Sequence, residues 1–111
     1  MSEKNIVNLQ PFWEAQAEWS REVFGSDDER GPIGPLKHLA KEVQEAIQHP
    51  DDPMEYVDCL FLLFDAARRA GFVLVDLEHL AWEKLAINKA RKWQKPTSDE
   101  PIEHDRTGET K

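Results

Sequence analysis

Two pairs of acidic residues are the first candidates for chemistry in this chain. One pair is Glu42 and Glu45, the other is Glu55 and Asp58, and both have i,i+3 spacing. On an α-helix this spacing places both carboxylates of a pair on one face. If the two helices are antiparallel neighbours, four carboxylates converge on one space. Hard oxygen donors of this kind suit Mg²⁺, with phosphate and water completing its shell. The sequence therefore predicts a metal site built from these four residues.

Most of the acidic residues in this region also have a purely structural explanation. Asp52 and Glu55 fit a capping box at the start of a helix. Asp65 and Arg69 fit an ion pair one turn apart, and the first acidic pair could simply be a solvated face. Asp58 is different, because it lies mid-helix among apolar residues with no cation one turn away. An unpaired carboxylate in such a place needs a cation, a metal or water.

Polar residues on an otherwise apolar helix face form a second candidate group. Lys84, Asn88 and Arg91 recur at i, i+4 and i+7 within the apolar sector of the last helix. Such a stripe needs an anionic partner, which is either a substrate phosphate or the acidic helices themselves. Trp19 is most simply a core or interface residue, and its alternative role is to stack on a nucleobase. A zinc site with His38 is disfavoured, because no second His or Cys has suitable spacing on that helix.

Helices must position these residues, and proline and glycine mark their ends. Pro11 and Pro35 suit the first turns of two helices. The stretch 49–53 separates the second helix from the third, and Gly71 marks the end of the third helix. We predict four helices, over residues 11–24, 35–48, 54–70 and 74–93. The third helix has apolar residues over most of its circumference and should be largely buried. The protomer is too small to cover it, so we expect a homodimer or a dimer of dimers.

Composition limits the classes of protein that the chain could represent. Its 111 residues suggest one domain, which we place at 1–94, followed by a polar and flexible tail at 95–111. The net charge of −8 argues against a protein that binds nucleic-acid backbones. The single cysteine, Cys59, is compatible with a reducing compartment. We find neither a signal peptide nor an apolar run of about 18 residues, so we expect a cytoplasmic protein that does not enter membranes.

The order of the two acidic pairs resembles a known superfamily. Glu42-x-x-Glu45, then Glu55-x-x-Asp58 on the next helix, then Lys84 and Asn88 on the last helix resemble the all-α nucleoside-triphosphate pyrophosphohydrolases, which include MazG and the dimeric dUTPases. The strings 34–42 and 65–71 are similar to a phage-type, MazZ-like branch linked to dATP/dGTP diphosphohydrolase activity. The resemblance implies a four-helix MazG-like bundle completed by homo-oligomerisation. For a phage-encoded member it places the protein in the host cytoplasm.

The resemblance also implies a reaction, in which a purine dNTP and water give dNMP and pyrophosphate. Mg²⁺ would be the cofactor, with Mn²⁺ as a substitute, held by the four carboxylates named above. Glu42 and Glu45 would be catalytic, with Glu45 the first choice to orient or deprotonate water. The remaining predicted contacts are with the substrate: phosphates for Lys84 and Arg91, phosphate or sugar for Asn88, and the base for Trp19.

Two alternatives stay open on the sequence. The same fold could act on dUTP, dCTP or phosphoribosyl-ATP. Alternatively, the chain is a non-enzymatic helical interaction module whose acidic and basic stripes neutralise each other. A requirement for Mg²⁺ or Mn²⁺ distinguishes an enzyme from such a module. The number of ions also stays open, because the family often has a glutamate where this chain has Lys41.

Overall fold

The computed structural model describes residues 8–102 and 104–105, and their fold is all-α, as predicted. Four helices follow one another along the chain, and two short segments pair as an antiparallel ladder. The elements are α1 (Gln10–Phe24), α2 (Ile33–Gln48), α3 (Pro53–Arg69), α4 (Leu74–Ala90), β1 (Lys92–Trp93) and β2 (His104–Asp105). None of the described helices is long and apolar enough to cross a lipid bilayer.

The described residues form two compact units, and the boundary between them in the sequence lies between Leu74 and Val75. In the first unit, α3 packs against both α1 and α2. Aromatic rings fill the contact between α1 and α3: Trp13 lies 5.0 Å from Phe64, and Phe12 meets Phe61 edge-on at 5.1 Å, measured between ring centroids. Trp13 is buried and belongs to the core of this unit.

The helix ends follow the predicted signals, with two corrections. Asp52 caps α3 by accepting a 2.9 Å hydrogen bond from the Met54 amide. The helix α2 begins at Ile33 rather than at Pro35, because a proline is tolerated anywhere in a first turn whose amides have no partner within the helix. The helix α4 ends at Ala90 rather than at residue 93, because the Asn88 carbonyl accepts from the Arg91 amide and from the Trp93 indole.

The predicted burial of the apolar faces is wrong for the single chain. No residue of α2 is buried, and Ile47 is 65 % exposed. Met54, Tyr56 and Leu63 of α3 are each at least half exposed. The periodicity identified faces that avoid water, but one protomer supplies too little surface to cover them.

The C-terminal end of α3 carries a buried ion pair. Asp65 and Arg69 form the predicted pair, with a 3.2 Å contact, and both residues are buried. Arg68 also donates to Asp65, at 2.7 Å, and Ser20 of α1 donates to the same carboxylate at 2.7 Å. The carboxylate is therefore fully compensated inside the protein, which is the condition for burying a charge at moderate cost.

Arg68 extends this network to the segment between α1 and α2. It donates to the carboxylate of Asp27, which Arg21 also contacts. Burial would raise the pKa of Asp27, but the hydrogen bond and charge of Arg68, followed by those of Arg21, outweigh burial and lower it. Because the folded-state pKa lies below the ordinary value of 3.8, this contact adds stability above that pH and loses it as the pH falls through the lowered value.

The second unit contains α4 and the two short strands. Lys92 pairs with Asp105 and Trp93 with His104. The predicted flexible tail covers residues 95–111, and of these 103 and 106–111 lie outside the described residues. Its mobility, and the domain boundary at residue 94, stay predictions.

We expect Asp65→Asn to destabilise the protein by about 3–5 kcal/mol, because two buried guanidinium groups lose the buried carboxylate that they share. Asp51→Asn, at an exposed position in the turn before α3, is the control and should change the unfolding free energy by less than about 0.5 kcal/mol. Urea denaturation followed by circular dichroism measures both values. Equal midpoints for the two variants would show that the buried charges do not need Asp65.

Candidate functional site

Three of the four predicted carboxylates converge in the first unit. Glu42 of α2 and Glu55 and Asp58 of α3 each offer a carboxylate oxygen, and these oxygens lie within 4.8 Å of one another. Glu42 and Glu55 are half-buried and Asp58 is exposed, so the group opens to solvent. We call these three residues the acid cluster. Carboxylate oxygens gathered from two packed helices are a donor set that fits Mg²⁺ or Mn²⁺.

Glu45 lies outside the acid cluster. Residues with i,i+3 spacing point about 60° apart around a helix, so the second member of a pair need not face the same neighbour as the first. Glu45 is exposed and still close enough for its charge to act on Glu55. Its predicted role as a metal ligand or as the residue that activates water stays a prediction.

The acid cluster has an excess of negative charge, and its effect is seen in the pKa of Glu55. Burial raises the pKa of Glu55, and the carboxylates of Asp52, Asp58 and Glu45 raise it further, against a smaller opposing effect of His49. The predicted capping box does not relieve this charge, because the Asp52 amide donates to the His49 carbonyl, at 3.1 Å. A divalent cation is the natural counter-charge for such a group.

Two further side chains border the acid cluster. His38, one turn before Glu42, places Nε2 3.2 Å from a Glu42 carboxylate oxygen. Burial, together with the charges of Glu42, Asp58 and Glu55, raises the pKa of the Cys59 thiol. A thiol that ionises less readily is a poor nucleophile, which agrees with reading Cys59 as a structural residue.

The acid cluster borders a cavity in the first unit with a volume of about 760 Å³. Glu42 and Asp58 lie in its wall together with aromatic and aliphatic residues from α1 and α3. Trp19 is one of these and is 51 % exposed, so it lies in the cavity wall and not in the core of the single chain. Its predicted alternative place in an interface between subunits stays a prediction. A cavity of this size, with an apolar wall and a few charged groups, is typical of small-molecule sites.

The predicted phosphate-binding residues belong to the second unit. Lys84 is exposed, and Asn88 and Arg91 are half-buried. Lys84 and Asn88 lie on α4, and Arg91 is the first residue after it. Their predicted contacts with phosphate and sugar stay predictions.

The polar residues at the other end of the cavity were not predicted to lie there, because the sequence indicated Asp65 and Arg69 only as an ion pair. Arg30 and the buried pair Asp65 and Arg69 line its wall. One signal was present in the sequence: Gln16 and Ser20 fall on the same face of α1 as Trp13, at i+3 and i+7. Polar residues within a buried face indicate buried partners, but they do not identify them.

The chain matches known proteins along most of its length. A sequence model described as dATP/dGTP pyrophosphohydrolase matches residues 12–109. A dATP/dGTP diphosphohydrolase of cyanophage S-2L is 37 % identical over 82 residues, which cover 72 % of this chain and 75 % of that protein. The Eaa protein of Salmonella phage P22 is 49 % identical over 88 residues, which cover 79 % of this chain but only 27 % of the phage protein. No solved structure matches significantly.

Glu55→Gln should have opposite effects on the protein without metal and on its response to metal. The raised pKa means that ionised Glu55 opposes folding at pH 7, so the neutral variant should melt at a higher temperature in EDTA. In the parent protein, Mg²⁺ at ten times its dissociation constant should add about 1.4 kcal/mol of stability, and the variant should lose most of this gain.

Thermal unfolding at pH 7, with EDTA or with Mg²⁺, measures both effects, and Glu78→Gln on α4 is the control. If the variant melts below the parent in EDTA, the acid cluster is not repulsive. If it keeps the full response to Mg²⁺, the ion binds elsewhere.

Proposed function

The chain belongs to the dATP/dGTP pyrophosphohydrolase family, and from this premise we propose that it hydrolyses dATP or dGTP to dNMP and pyrophosphate. One observation of the structure supports the proposal most directly: Glu42 and Asp58 of the acid cluster lie in the wall of a cavity of about 760 Å³ that also presents Trp19. Such a site offers metal ligands for a triphosphate beside an apolar surface for a base. The chain spans only about a quarter of the length of the phage P22 relative, so its own substrate and partners are proposals.

The proposed roles within the first unit follow from position. Glu42, Glu55 and Asp58 would hold Mg²⁺ or Mn²⁺, which when bound supplies charge neutralisation and polarises a phosphate oxygen. Glu45, next to the acid cluster but outside it, would orient the attacking water and accept its proton. The exposed ring of Trp19 would stack on the base. Water adds to phosphorus, and the bond to pyrophosphate breaks as dNMP forms.

The non-enzymatic alternative accounts for one part of the charge pattern only. Asp65 is neutralised by Arg68 and Arg69, as that alternative requires. The acid cluster does not fit that alternative, since burial and neighbouring like charges raise the pKa of Glu55.

The net charge of −8 and the exposed apolar residues of α2 and α3 support a partner other than nucleic acid, and we propose a second copy of the chain, as a dimer or a dimer of dimers. We place the reaction in the cytoplasm, which is the host's for a phage-encoded chain.

Incubation with a panel of nucleotides tests the reaction itself. We expect dATP and dGTP to give dNMP and pyrophosphate with Mg²⁺ or Mn²⁺ and no product in EDTA, because the carboxylates repel a triphosphate that has no bridging cation. Ion-exchange chromatography separates monophosphate, diphosphate, pyrophosphate and phosphate. Preferential turnover of dUTP, dCTP or phosphoribosyl-ATP would refute the proposed substrate, and no turnover by folded protein would favour the interaction module.

Two variants separate metal binding from water activation. Asp58→Asn should weaken Mn²⁺ binding and lower kcat/KM at least about 100-fold, since even indirect partners of metal ligands cost 10–100-fold. Glu45→Gln should lower kcat by a similar factor and leave Mn²⁺ affinity within about twofold, because its proposed partner is water. Electron paramagnetic resonance counts free Mn²⁺, and Asp76→Asn on α4 is the control. If Glu45→Gln loses Mn²⁺ as Asp58→Asn does, then Glu45 is a ligand.

A further inference from the structure

The segment between α1 and α2, residues 25–32, lies over the buried guanidinium group of Arg69. We call this segment the α1–α2 loop. Arg69 comes from the end of α3, and its side chain is 1 % exposed. It donates to the main-chain carbonyls of Gly25, Ser26 and Arg30, at 3.2, 3.3 and 3.2 Å. It also donates to the Ser20 carbonyl in α1, at 3.3 Å. One buried side chain therefore holds both ends of the loop.

Only an arginine provides this pattern of donors. Its planar group carries five N–H donors in a fixed fork, whereas a lysine has three donors at a single point. Besides the carbonyls, the group serves Asp65 and the Ser20 hydroxyl, at 3.2 and 2.9 Å. Burial among acceptors on three elements fixes the position of the loop relative to α1 and α3.

The α1–α2 loop is also part of the cavity wall. Arg30 and Gly31 line the same cavity as Glu42 and Asp58 of the acid cluster. Asp58 and Arg69 are eleven residues apart on α3, which corresponds to about 16 Å along the helix axis. The loop therefore borders the end of the cavity that is remote from the acid cluster.

We propose that Arg69 is a positioning residue that keeps the α1–α2 loop in place as a preformed wall for the nucleoside end of the substrate. The proposal rests on the proposed function, because it takes the phosphates to lie at the acid cluster. Arg69 acts through the loop and contacts no reacting atom. Its loss should weaken binding of substrate and leave the chemical step almost unchanged.

Arg69→Lys tests this division between binding and chemistry. We expect KM for the best dNTP to rise about tenfold or more, and kcat to stay within about twofold. Amide hydrogen exchange of the protein without ligand should speed up in residues 25–31, since the carbonyl contacts are lost. Trp13→Phe is the control for lowered stability, because Trp13 lies in the core between α1 and α3 and does not line the cavity.

A substitution at Gly25 alters the α1–α2 loop without changing a buried charge, and Gly71 provides the matched control. Gly25 and Gly71 both have positive φ, +109° and +97°, so alanine is strained at either position. At Gly25 the new Cβ would also meet Arg30 Cγ at 3.4 Å, whereas at Gly71 it meets nothing within 4 Å. We expect Gly25→Ala to raise KM as Arg69→Lys does, and Gly71→Ala to leave it unchanged.

The outcomes separate this proposal from the proposed function. A parent protein that turns over no nucleotide refutes the function, and the exchange measurement still decides whether Arg69 holds the loop. A raised KM with near-normal kcat in Arg69→Lys and Gly25→Ala, absent in both controls, supports the proposal. An unchanged KM and unchanged exchange in Arg69→Lys overturns it. Equal effects in Trp13→Phe also overturn it, because the residue would then act only through general stability.

Discussion

The buried ion pair between Asp65 and Arg69 is the interaction on which the first unit depends. Asp65 is satisfied by two guanidinium groups and a hydroxyl, and Arg69 is satisfied by carbonyls from α1 and from the segment that follows it. Neither residue could be buried alone, because an uncompensated charge inside a protein is strongly unfavourable. Three separate parts of the chain must therefore assemble together for either charge to leave water.

The same helix contains charges that the fold leaves uncompensated. Three to four turns before Arg69, Glu55 and Asp58 face Glu42 without an arginine between them. Glu55 shows the consequence in its raised pKa. One helix thus has a neutralised end, which holds the structure together, and an acidic end, which is free to attract a cation. Stability and the proposed chemistry come from the two ends of one polar face.

The sequence predicted the helices and the acid cluster because both depend on local spacing. Proline and glycine marked the helix ends to within a few residues, and i,i+3 spacing brought Glu55 and Asp58 together as expected. What the sequence could not supply depends on long-range contacts. Arg69 meets partners 39 to 49 residues away, and no local pattern encodes that pairing. The position of Glu45 outside the cluster depends on a rotation of about 60°, which spacing alone does not resolve.

The continuous helix α3, Pro53–Arg69, also sets a distance. It fixes the interval between the acid cluster and Arg69, because each residue adds about 1.5 Å and 100°. Inserting a single residue between Asp58 and Asp65 would turn one group away from the cavity. Relatives that build the same site must therefore keep this interval constant. Changes of length during evolution are easier beyond α4 than in the α1–α2 loop, whose carbonyls Arg69 holds in place.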